Sequence, residues 1–383
     1  MAAIGEIIEQ SRPLAKVSRI IETGKRGQAI MLTGPPGIGK FALGSWLALR
    51  YLCQKDASGC GQCWGCRQAK SFRHPDYLLA FPFPNLSIES RKNTLFHFSD
   101  PVNSDARYSD DSLDEVNRFL AEKANDTYRI ISFEKKQNIP VEVIKDLIRA
   151  IGKRPMIGQR RVVMVCEVER MAFGAPDLFL KTVEEPPEDT LIILTSARPH
   201  ALPPTLLSRT IRIPLEPVSD KGVGDYLLSA GIAEPNDFYL RYAAGSPGMA
   251  LKAVEDELLS RRDELWKVII DYIEKGNLPR IIETLRRQRF KSDFDDAKND
   301  FALIHKILRD IYVAKIGLDK RIINTDINAE INRMAKIGPS PGALQAWMKS
   351  SAKAARVFEI NNVSVDMALI GMFIEFDRAR NMN

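Results

Sequence analysis

The chain has 383 residues, of which 45% are hydrophobic and 27% charged, and its formal net charge at pH 7 is +6. This composition is typical of a soluble globular protein, and a chain of this length predicts about two or three domains. A membrane protein is excluded because no apolar run is long enough to span a bilayer, and residues 1–10 lack the pattern of a secretory signal, so we expect a cytoplasmic location.

The first predicted strand, residues 29–33, leads into a glycine-rich turn, and a helix is predicted over residues 41–52. The turn, residues 34–41, reads GPPGIGKF and matches the phosphate-binding pattern G-x-x-x-x-G-K-[ST] at every position but the last. Glycines allow successive N–H groups to face phosphate oxygens, and a lysine adds a positive charge. The candidate nucleotide-binding residues are therefore Gly34, Gly37, Gly39 and Lys40.

Four of the five cysteines follow this helix within residues 53–66, with the spacing C-x6-C-x2-C-x2-C. In a reducing compartment the cluster predicts a zinc site rather than disulfides, with Cys53, Cys60, Cys63 and Cys66 as ligands. Four thiolates leave no open position for water, so the zinc would be structural. Free, reduced cysteines are the alternative interpretation.

A second strand is predicted over residues 76–81, after which residues 82–129 are polar and rich in Asp and Ser. Ser112 and Glu115 have the spacing of a capping box, which predicts a short helix through Lys123. We interpret residues 82–129 as an insertion, to which the sequence assigns no role.

A predicted helix over residues 141–151 precedes a strand over residues 162–166. In a nucleotide-hydrolysing site this strand would end in an acid that helps to hold Mg²⁺, yet Cys166 stands there, and Phe41 stands where the loop would offer a hydroxyl. Without both oxygen ligands, hydrolysis is not expected. Two interpretations remain for the loop, which either binds nucleotide weakly or is a turn without nucleotide.

A helix over residues 174–185 and strands over residues 191–196 and 210–214 complete the alternating pattern of an α/β domain with a parallel sheet. After Pro217 the apolar periodicity is helical throughout. We therefore expect an all-α region in the remainder of the chain.

Several motifs occur in a fixed order along residues 4–255. They are Ile7-Ile8-Glu9-Gln10, the glycine-rich turn, the four-cysteine insert, His74-Pro75-Asp76, residues 180–187 (LKTVEEPP), Thr195 in the following strand, and residues 206–210 (LLSRT). As an ordered set they resemble the delta-prime family of bacterial DNA polymerase III clamp-loader subunits, which are AAA+ proteins. Thr210 departs from the family's Ser-Arg-Cys motif.

The resemblance implies a domain organisation. It implies an α/β AAA+ domain, similar to a phosphate-loop NTPase, over residues 1–216, with a zinc module at 53–66 and an insertion at about 82–129. A small helical lid would occupy residues 217–255, and an all-α collar over residues 256–383 would assemble a pentameric ring.

The resemblance also implies residue roles. Arg209 would be an arginine finger that reaches ATP on a neighbouring gamma/tau motor subunit, and Thr195 would occupy the sensor position. Glu167 would remain at the degenerate nucleotide site. Gly248 stands where a hydrolysing relative carries a second sensor arginine, so the subunit's own site is weakened.

The implied function is that of a non-hydrolysing clamp-loader subunit. It would complete a neighbour's ATP site in trans and help to load the sliding clamp onto primed DNA during replication, together with the gamma/tau and delta subunits. The chain would belong to a DNA-directed DNA polymerase holoenzyme, a nucleotidyltransferase, without polymerase or ATPase activity of its own. It would carry structural zinc, bind ATP weakly or not at all, and make no membrane contact.

Two other functions stay open on the sequence. A gamma/tau-like ATP-hydrolysing motor would need a metal held without Phe41 or Cys166, for example through Glu167. A zinc-dependent nucleic-acid-binding scaffold would use residues 53–66 alone, and its affinity would depend on salt. Few Lys or Arg residues lie inside that segment, and DNA contact is not demonstrated by a net charge of +6.

Overall fold

The computed structural model describes residues 6–22, 27–55, 59–84, 110–131, 137–287, 294–361 and 363–381. The chain forms two compact units. The sheet unit comprises Met1–Glu234 and Ala244–Leu251, and the helical unit comprises Pro235–Ala243 and Lys252–Asn383. Within the described residues, no helix is both long and apolar enough to cross a bilayer.

The elements of the first part of the chain alternate between helices and strands. In chain order they are α1 (Ser11–Glu22), β1 (Gln28–Thr33), α2 (Lys40–Tyr51), α3 (Trp64–Lys70), β2 (Tyr77–Ala80), β3 (Phe83–Pro84), α4 (Asp110–Asn125), β4 (Gln137–Asn138), α5 (Val141–Ile151), β5 (Arg161–Val165), α6 (Ala175–Glu184), β6 (Thr190–Ser196), α7 (Pro204–Ser208) and β7 (Ile211–Pro214).

Five of these strands form one parallel sheet in the order β2-β5-β6-β1-β7, and β3 pairs with β4 in antiparallel fashion. The predicted α/β class with a parallel sheet is therefore confirmed. Each of the five predicted strands is present, with ends that differ by one residue or less.

Both faces of the sheet are buried, which explains the continuous apolar runs of its strands. Along β1, Ile30 and Leu32 pack on one face with residues of α2, while Ala29 and Met31 pack on the other. That second face is covered by α5 and α6. The carboxyl ends of the strands remain as the edge where loops and helix N-termini can form a site.

The remainder of the described chain is helical. Its helices are α8 (Asp220–Ser229), α9 (Asp237–Ala243), α10 (Pro247–Glu255), α11 (Leu258–Lys275), α12 (Leu278–Arg287), α13 (Phe294–Lys315), α14 (Asn328–Ile337), α15 (Pro341–Asn361) and α16 (Val365–Asn381). In the helical unit the Trp347 ring stacks on Phe376 at 4.7 Å, and its indole N–H donates to the Phe376 carbonyl at 2.9 Å. The expectation of a helical second half is thus confirmed, whereas the lid and collar boundaries stay predictions.

The predicted helix of the insertion exists, but its predicted start was wrong. Helix α4 begins at Asp110, so Ser112 lies inside the helix rather than at its cap. Asp is itself a favoured residue type at helix starts, and the polar sequence offered more than one beginning. Residues 85–109 of the insertion lie outside the described residues.

Candidate functional site

The glycine-rich turn joins the carboxyl end of β1 to the N-terminus of α2. Gly37 and Gly39 have φ angles of 73° and 111°, a region that glycine adopts without the penalty of a side chain. The N–H of Gly34 donates to the Ser196 carbonyl at 3.2 Å, which ties the turn to β6. The structure thus forms the turn that the sequence pattern predicts.

Lys40 is directed back into its own loop. Its Nζ donates to the carbonyls of Gly34 and Pro35 at 2.6 and 2.7 Å. Burial lowers the pKa of Lys40 to about 8, and the carboxylates of Glu167 and Glu169 oppose the shift. The ammonium group that would bind a phosphate is therefore hydrogen-bonded to carbonyls of the loop itself.

Phe41 lies in an aromatic cluster rather than beside polar groups. Its ring centroid is 5.6 Å from that of Phe72 and 6.4 Å from that of Phe119 on α4. The ammonium of Lys123, also on α4, lies 4.7 Å from the centre of the Phe41 ring. This position offers no oxygen ligand for a metal, and it holds the cation of the chain's own lysine instead.

The Cys166 position at the end of β5 is equally unsuited to a metal such as Mg²⁺. Its thiol is buried, and burial raises the pKa of Cys166 to about 12, so the group is neutral at pH 7. Hard cations prefer oxygen ligands, so a buried thiol does not replace an aspartate.

Glu167 and Thr195 meet at the same edge of the sheet. The backbone N–H of Glu167, whose φ of 49° lies in the left-handed region, donates to the Thr195 hydroxyl at 3.0 Å. The Glu167 carboxylate pairs with Arg170 at 2.9 Å. The structure therefore brings together the predicted loop, sensor and carboxylate residues, but the carboxylate is already paired with a positive charge.

The end of the insertion lies against the loop. Tyr128 is buried, and its hydroxyl accepts a hydrogen bond from the Ile8 N–H at 2.8 Å. A methyl group added at Gly39 would come within 2.6 Å of the Tyr128 ring. Asp126 accepts from the Tyr128 N–H at 3.0 Å and from the Tyr226 hydroxyl at 2.7 Å.

The start of α10 also contacts the loop. The Gly248 N–H donates to the Gly37 carbonyl at 3.0 Å. A methyl group added at Gly248 would come within 2.0 Å of the Tyr128 carbonyl oxygen, so this position has no room for a side chain.

Arg209 directly follows helix α7 and is its C-cap residue. Its Nε donates to the Glu184 carboxylate at 2.8 Å, and its Nη1 donates to the Thr205 carbonyl at 3.1 Å. The side chain is 33% exposed, and among the described residues none accepts from Nη2. Two of the three guanidinium nitrogens are thus held by oxygens of the same chain, while the third has no hydrogen-bond partner among the described residues.

The four clustered cysteines converge as their spacing predicts. Their sulfurs all lie within 4.8 Å of one another, and the Cys60 and Cys66 sulfurs are 4.0 Å apart. The N–H of Cys63 donates to the Cys60 sulfur, and that of Cys66 to the Cys63 sulfur, each at 3.4 Å.

This donor set fits a tetrahedral metal. Four sulfurs at the usual Zn–S distance of about 2.3 Å lie about 3.8 Å apart, close to the spacing found. Burial alone would raise the pKa of Cys63, but hydrogen bonds from the Cys66 and Gln54 backbone outweigh it, so the pKa is lowered. Bound zinc would cross-link the turn before α3.

Three residues that matter to the site were missed by sequence reasoning. Glu184 lies inside the LKTVEEPP segment that carried part of the resemblance, so its proximity to Arg209 could have been suspected. Lys123 and Tyr128 lie in the insertion, and no local pattern indicates that they contact the phosphate loop.

The sequence is similar to one known protein family and to several named relatives. The family described as DNA polymerase III, delta subunit matches residues 9–219. DNA polymerase III subunit delta' of Pseudomonas aeruginosa is 28% identical over 196 residues, which are 50% of this chain and 44% of that protein. The subunit delta' of Escherichia coli is 24% identical over 273 residues, 70% of this chain and 66% of that protein.

Among solved structures, a DNA polymerase III gamma subunit-related protein of Thermotoga maritima is 18% identical, with a TM-score of 0.41 over 96% of this chain and 100% of that chain. Because the family match covers more than half of the sequence, the chain belongs to the DNA polymerase III, delta subunit family. The two relatives named above are delta-prime subunits, which confirms the resemblance inferred from the ordered motifs. The matches span 44% and 66% of these two relatives.

Proposed function

We propose that the chain is a non-hydrolysing subunit of a DNA polymerase III clamp loader, which completes the ATP site of a neighbouring motor subunit. Residues 1–216 would be an AAA+ domain, and residues 217–255 would be its lid. Residues 256–383 would form the collar of a pentameric ring with gamma/tau and delta subunits. The ring would load the sliding clamp onto primed DNA, and the chain would act in the cytoplasm.

The observation that carries this proposal is an asymmetry between two surfaces. At the chain's own loop, Phe41 and Cys166 offer no oxygen to a metal, and Lys40 is bonded to loop carbonyls. Phosphoryl transfer depends on a metal that bridges the β- and γ-phosphates, so this loop is unsuited to hydrolysis. After α7, by contrast, Arg209 is partly exposed, and its Nη2 has no hydrogen-bond partner among the described residues.

Arg209 is suited to act on a phosphate supplied from outside. A guanidinium is planar and always charged, and it can bind phosphate oxygens through two donors. Glu184 and Thr205 fix its Nε and Nη1, which leaves Nη2 for the incoming phosphate. Such fingers contribute on the order of 10³ to 10⁵ in rate.

Zinc is proposed at Cys53, Cys60, Cys63 and Cys66, where it would stabilise the turn and take no part in ATP chemistry. The chain would belong to a DNA-directed DNA polymerase assembly without polymerase or ATPase activity of its own. Nucleotide binding at Gly34, Gly37, Gly39 and Lys40 would be weak or absent. Glu167 and Thr195 would be remnants of a hydrolysing site.

The test is the ATPase rate of the assembled loader. The chain is combined with gamma/tau, delta, the clamp and primed DNA, and wild type is compared with Arg209→Ala. We expect the rate at the completed site to fall on the order of 10³-fold, with no turnover by this chain alone. Arg212→Ala, an exposed arginine on β7, is the matched control and should leave the rate unchanged.

Gel filtration must find the Arg209→Ala protein in the assembly, so that a lower rate reflects chemistry rather than lost binding. Turnover by the isolated chain would favour a gamma/tau-like motor instead. An unchanged rate with Arg209→Ala would refute the trans role, and salt-dependent DNA binding by the isolated chain would favour a zinc-dependent scaffold.

A further inference from the structure

The insertion ends in a segment that lies on the phosphate loop. We name residues 123–128 the plug, because its first and last residues contact successive parts of the loop. Lys123 lies over Phe41, and Tyr128 lies against Gly39. The sequence assigned this insertion no role, and the proposed trans function of Arg209 does not require it.

Tyr128 fills the space between three segments of the sheet unit. Its ring contacts the loop at Gly39, its hydroxyl is bonded to the Ile8 backbone, and its ring centroid is 5.7 Å from that of Tyr226 on α8. A flat ring with one polar edge held by a backbone N–H has the chemistry that a nucleobase would offer here. Gly39 is the N-cap of α2, and a phosphate loop binds its anion at that helix N-terminus, so the ring stands where a nucleotide would have to approach.

Lys123 places a cation beside Phe41, the position at which a phosphate loop offers a hydroxyl to its metal. It is 8% exposed, and its ammonium donates to the carbonyls of Thr127 and Arg129 while it lies over the Phe41 ring. Asp126 and Glu167 contribute favourable charge interactions to it. A buried ammonium at this position repels a second cation, so Mg²⁺ would be opposed by charge as well as by the missing ligands.

The backbone of α10 closes the loop from another direction. The bond from Gly248 to Gly37 occupies a loop carbonyl, and the Tyr128 carbonyl packs directly against Gly248. Each contact therefore supports the others, and together the plug and α10 contact the loop at Gly37, Gly39 and Phe41.

We propose that the plug is a built-in occupant of the phosphate loop, in which the Tyr128 ring and the Lys123 ammonium take the places of a nucleotide and its metal. An occupant on the same chain competes at an effective concentration on the order of millimolar or higher. If the loop is open about 1% of the time, any intrinsic nucleotide affinity is weakened about 100-fold. The glycine-rich sequence is thereby retained without nucleotide binding.

The test is binding of a fluorescent ADP analogue to the full chain, measured by anisotropy and by competition with unlabelled ADP. Wild type should bind at least tenfold more weakly than Tyr128→Ala, because the alanine removes the ring from the loop. Tyr128→Phe keeps the ring and should stay as weak as wild type. Tyr242→Ala, which removes a buried tyrosine of the helical unit, controls for general loosening and should bind no better than wild type.

Hydrogen exchange of the wild type keeps the proposal testable if Tyr128→Ala does not fold. The Ile8 and Gly248 amides, which are bonded to Tyr128 and Gly37, should be protected without nucleotide and unchanged by excess ADP. Fast exchange of these amides without nucleotide would overturn the proposal. So would tight binding of the analogue by wild type, or binding by a folded Tyr128→Ala protein that is no tighter than wild type. Each of these outcomes is independent of the ATPase result for Arg209.

Discussion

Lys123→Met should change how the stability of the sheet unit depends on pH. Burial lowers the pKa of Lys123 to about 8, from 10.5 for an unperturbed lysine. Between these values the unfolded chain binds more protons than the folded chain, so the free energy of unfolding rises with pH. Below pH 8 the lysine is charged in both states, and its unfavourable burial is present in full.

The size of the effect follows from the difference between the two pKa values, 10.5 − 8 = 2.5. At about 1.4 kcal/mol per pKa unit, the free energy of unfolding of wild type should rise by about 3 kcal/mol between pH 8 and 10.5 because of Lys123. The methionine variant lacks that gain. It also loses the bonds to the Thr127 and Arg129 carbonyls, but their loss is a constant offset that does not depend on pH.

Urea unfolding from pH 7 to 10.5, followed by tryptophan fluorescence, measures the difference. Lys40 has a similarly lowered pKa and is present in both proteins. The Lys123 charge is only the smallest cause of that shift, so most of the Lys40 contribution cancels. Lys145→Met, an exposed lysine on α5, is the matched control and should follow wild type at every pH. If wild type and Lys123→Met differ by the same amount at pH 7 and at pH 10.5, Lys123 is not buried as a cation over Phe41.

Three further predictions concern other parts of the molecule. Glu184→Ala should lower the ATPase rate of the assembled loader by up to about fivefold, which corresponds to the free energy of an exposed ion pair. Glu184→Gln keeps a hydrogen-bond acceptor for Arg209 and should lower the rate less. Equal rates for both variants and wild type would contradict a positioning role for Glu184. Cys63→Ser should reduce the zinc content below one ion per chain in elemental analysis, whereas Cys166→Ser should keep the full zinc content. Full zinc content in Cys63→Ser would contradict the proposed ligand set. Asp76→Ala should lower the free energy of unfolding, measured with urea, by about 3–5 kcal/mol, because it leaves the buried Arg161 without its carboxylate partner. A loss below about 1 kcal/mol would indicate that this ion pair contributes little.

The strands and the cysteine cluster could be predicted because each is encoded locally. In β5 the run Arg161–Val165 is buried on both faces, so its apolar residues are continuous and easily recognised. The cysteine spacing limits how far apart the sulfurs can lie, so their convergence follows from the sequence. Asp76 was noted only as part of a motif, yet it accepts hydrogen bonds from the Met156 and Ile157 backbone, a role that depends on distant segments.

The occupied state of the phosphate loop could not be predicted, since its contacts join segments that are far apart in the chain. Tyr128 is 120 residues from Ile8, and both Lys123 and Tyr128 follow a polar stretch that resembles a surface insertion. The sequence pattern correctly predicted the turn, and the identities of Phe41 and Cys166 led to the expectation that the loop lacks metal ligands. It gave no indication that another segment of the same chain fills the space beside them.

The close packing at Gly248 restricts which substitutions the loop could accept. A side chain at position 248 would require the Tyr128 backbone to move, because even a methyl group there would meet the Tyr128 carbonyl at 2.0 Å. Replacing Phe41 or Cys166 alone with an oxygen-bearing residue would leave Tyr128 against Gly39. Positions that are far apart in the sequence are therefore coupled, and a metal site at this loop would need several of them to change together.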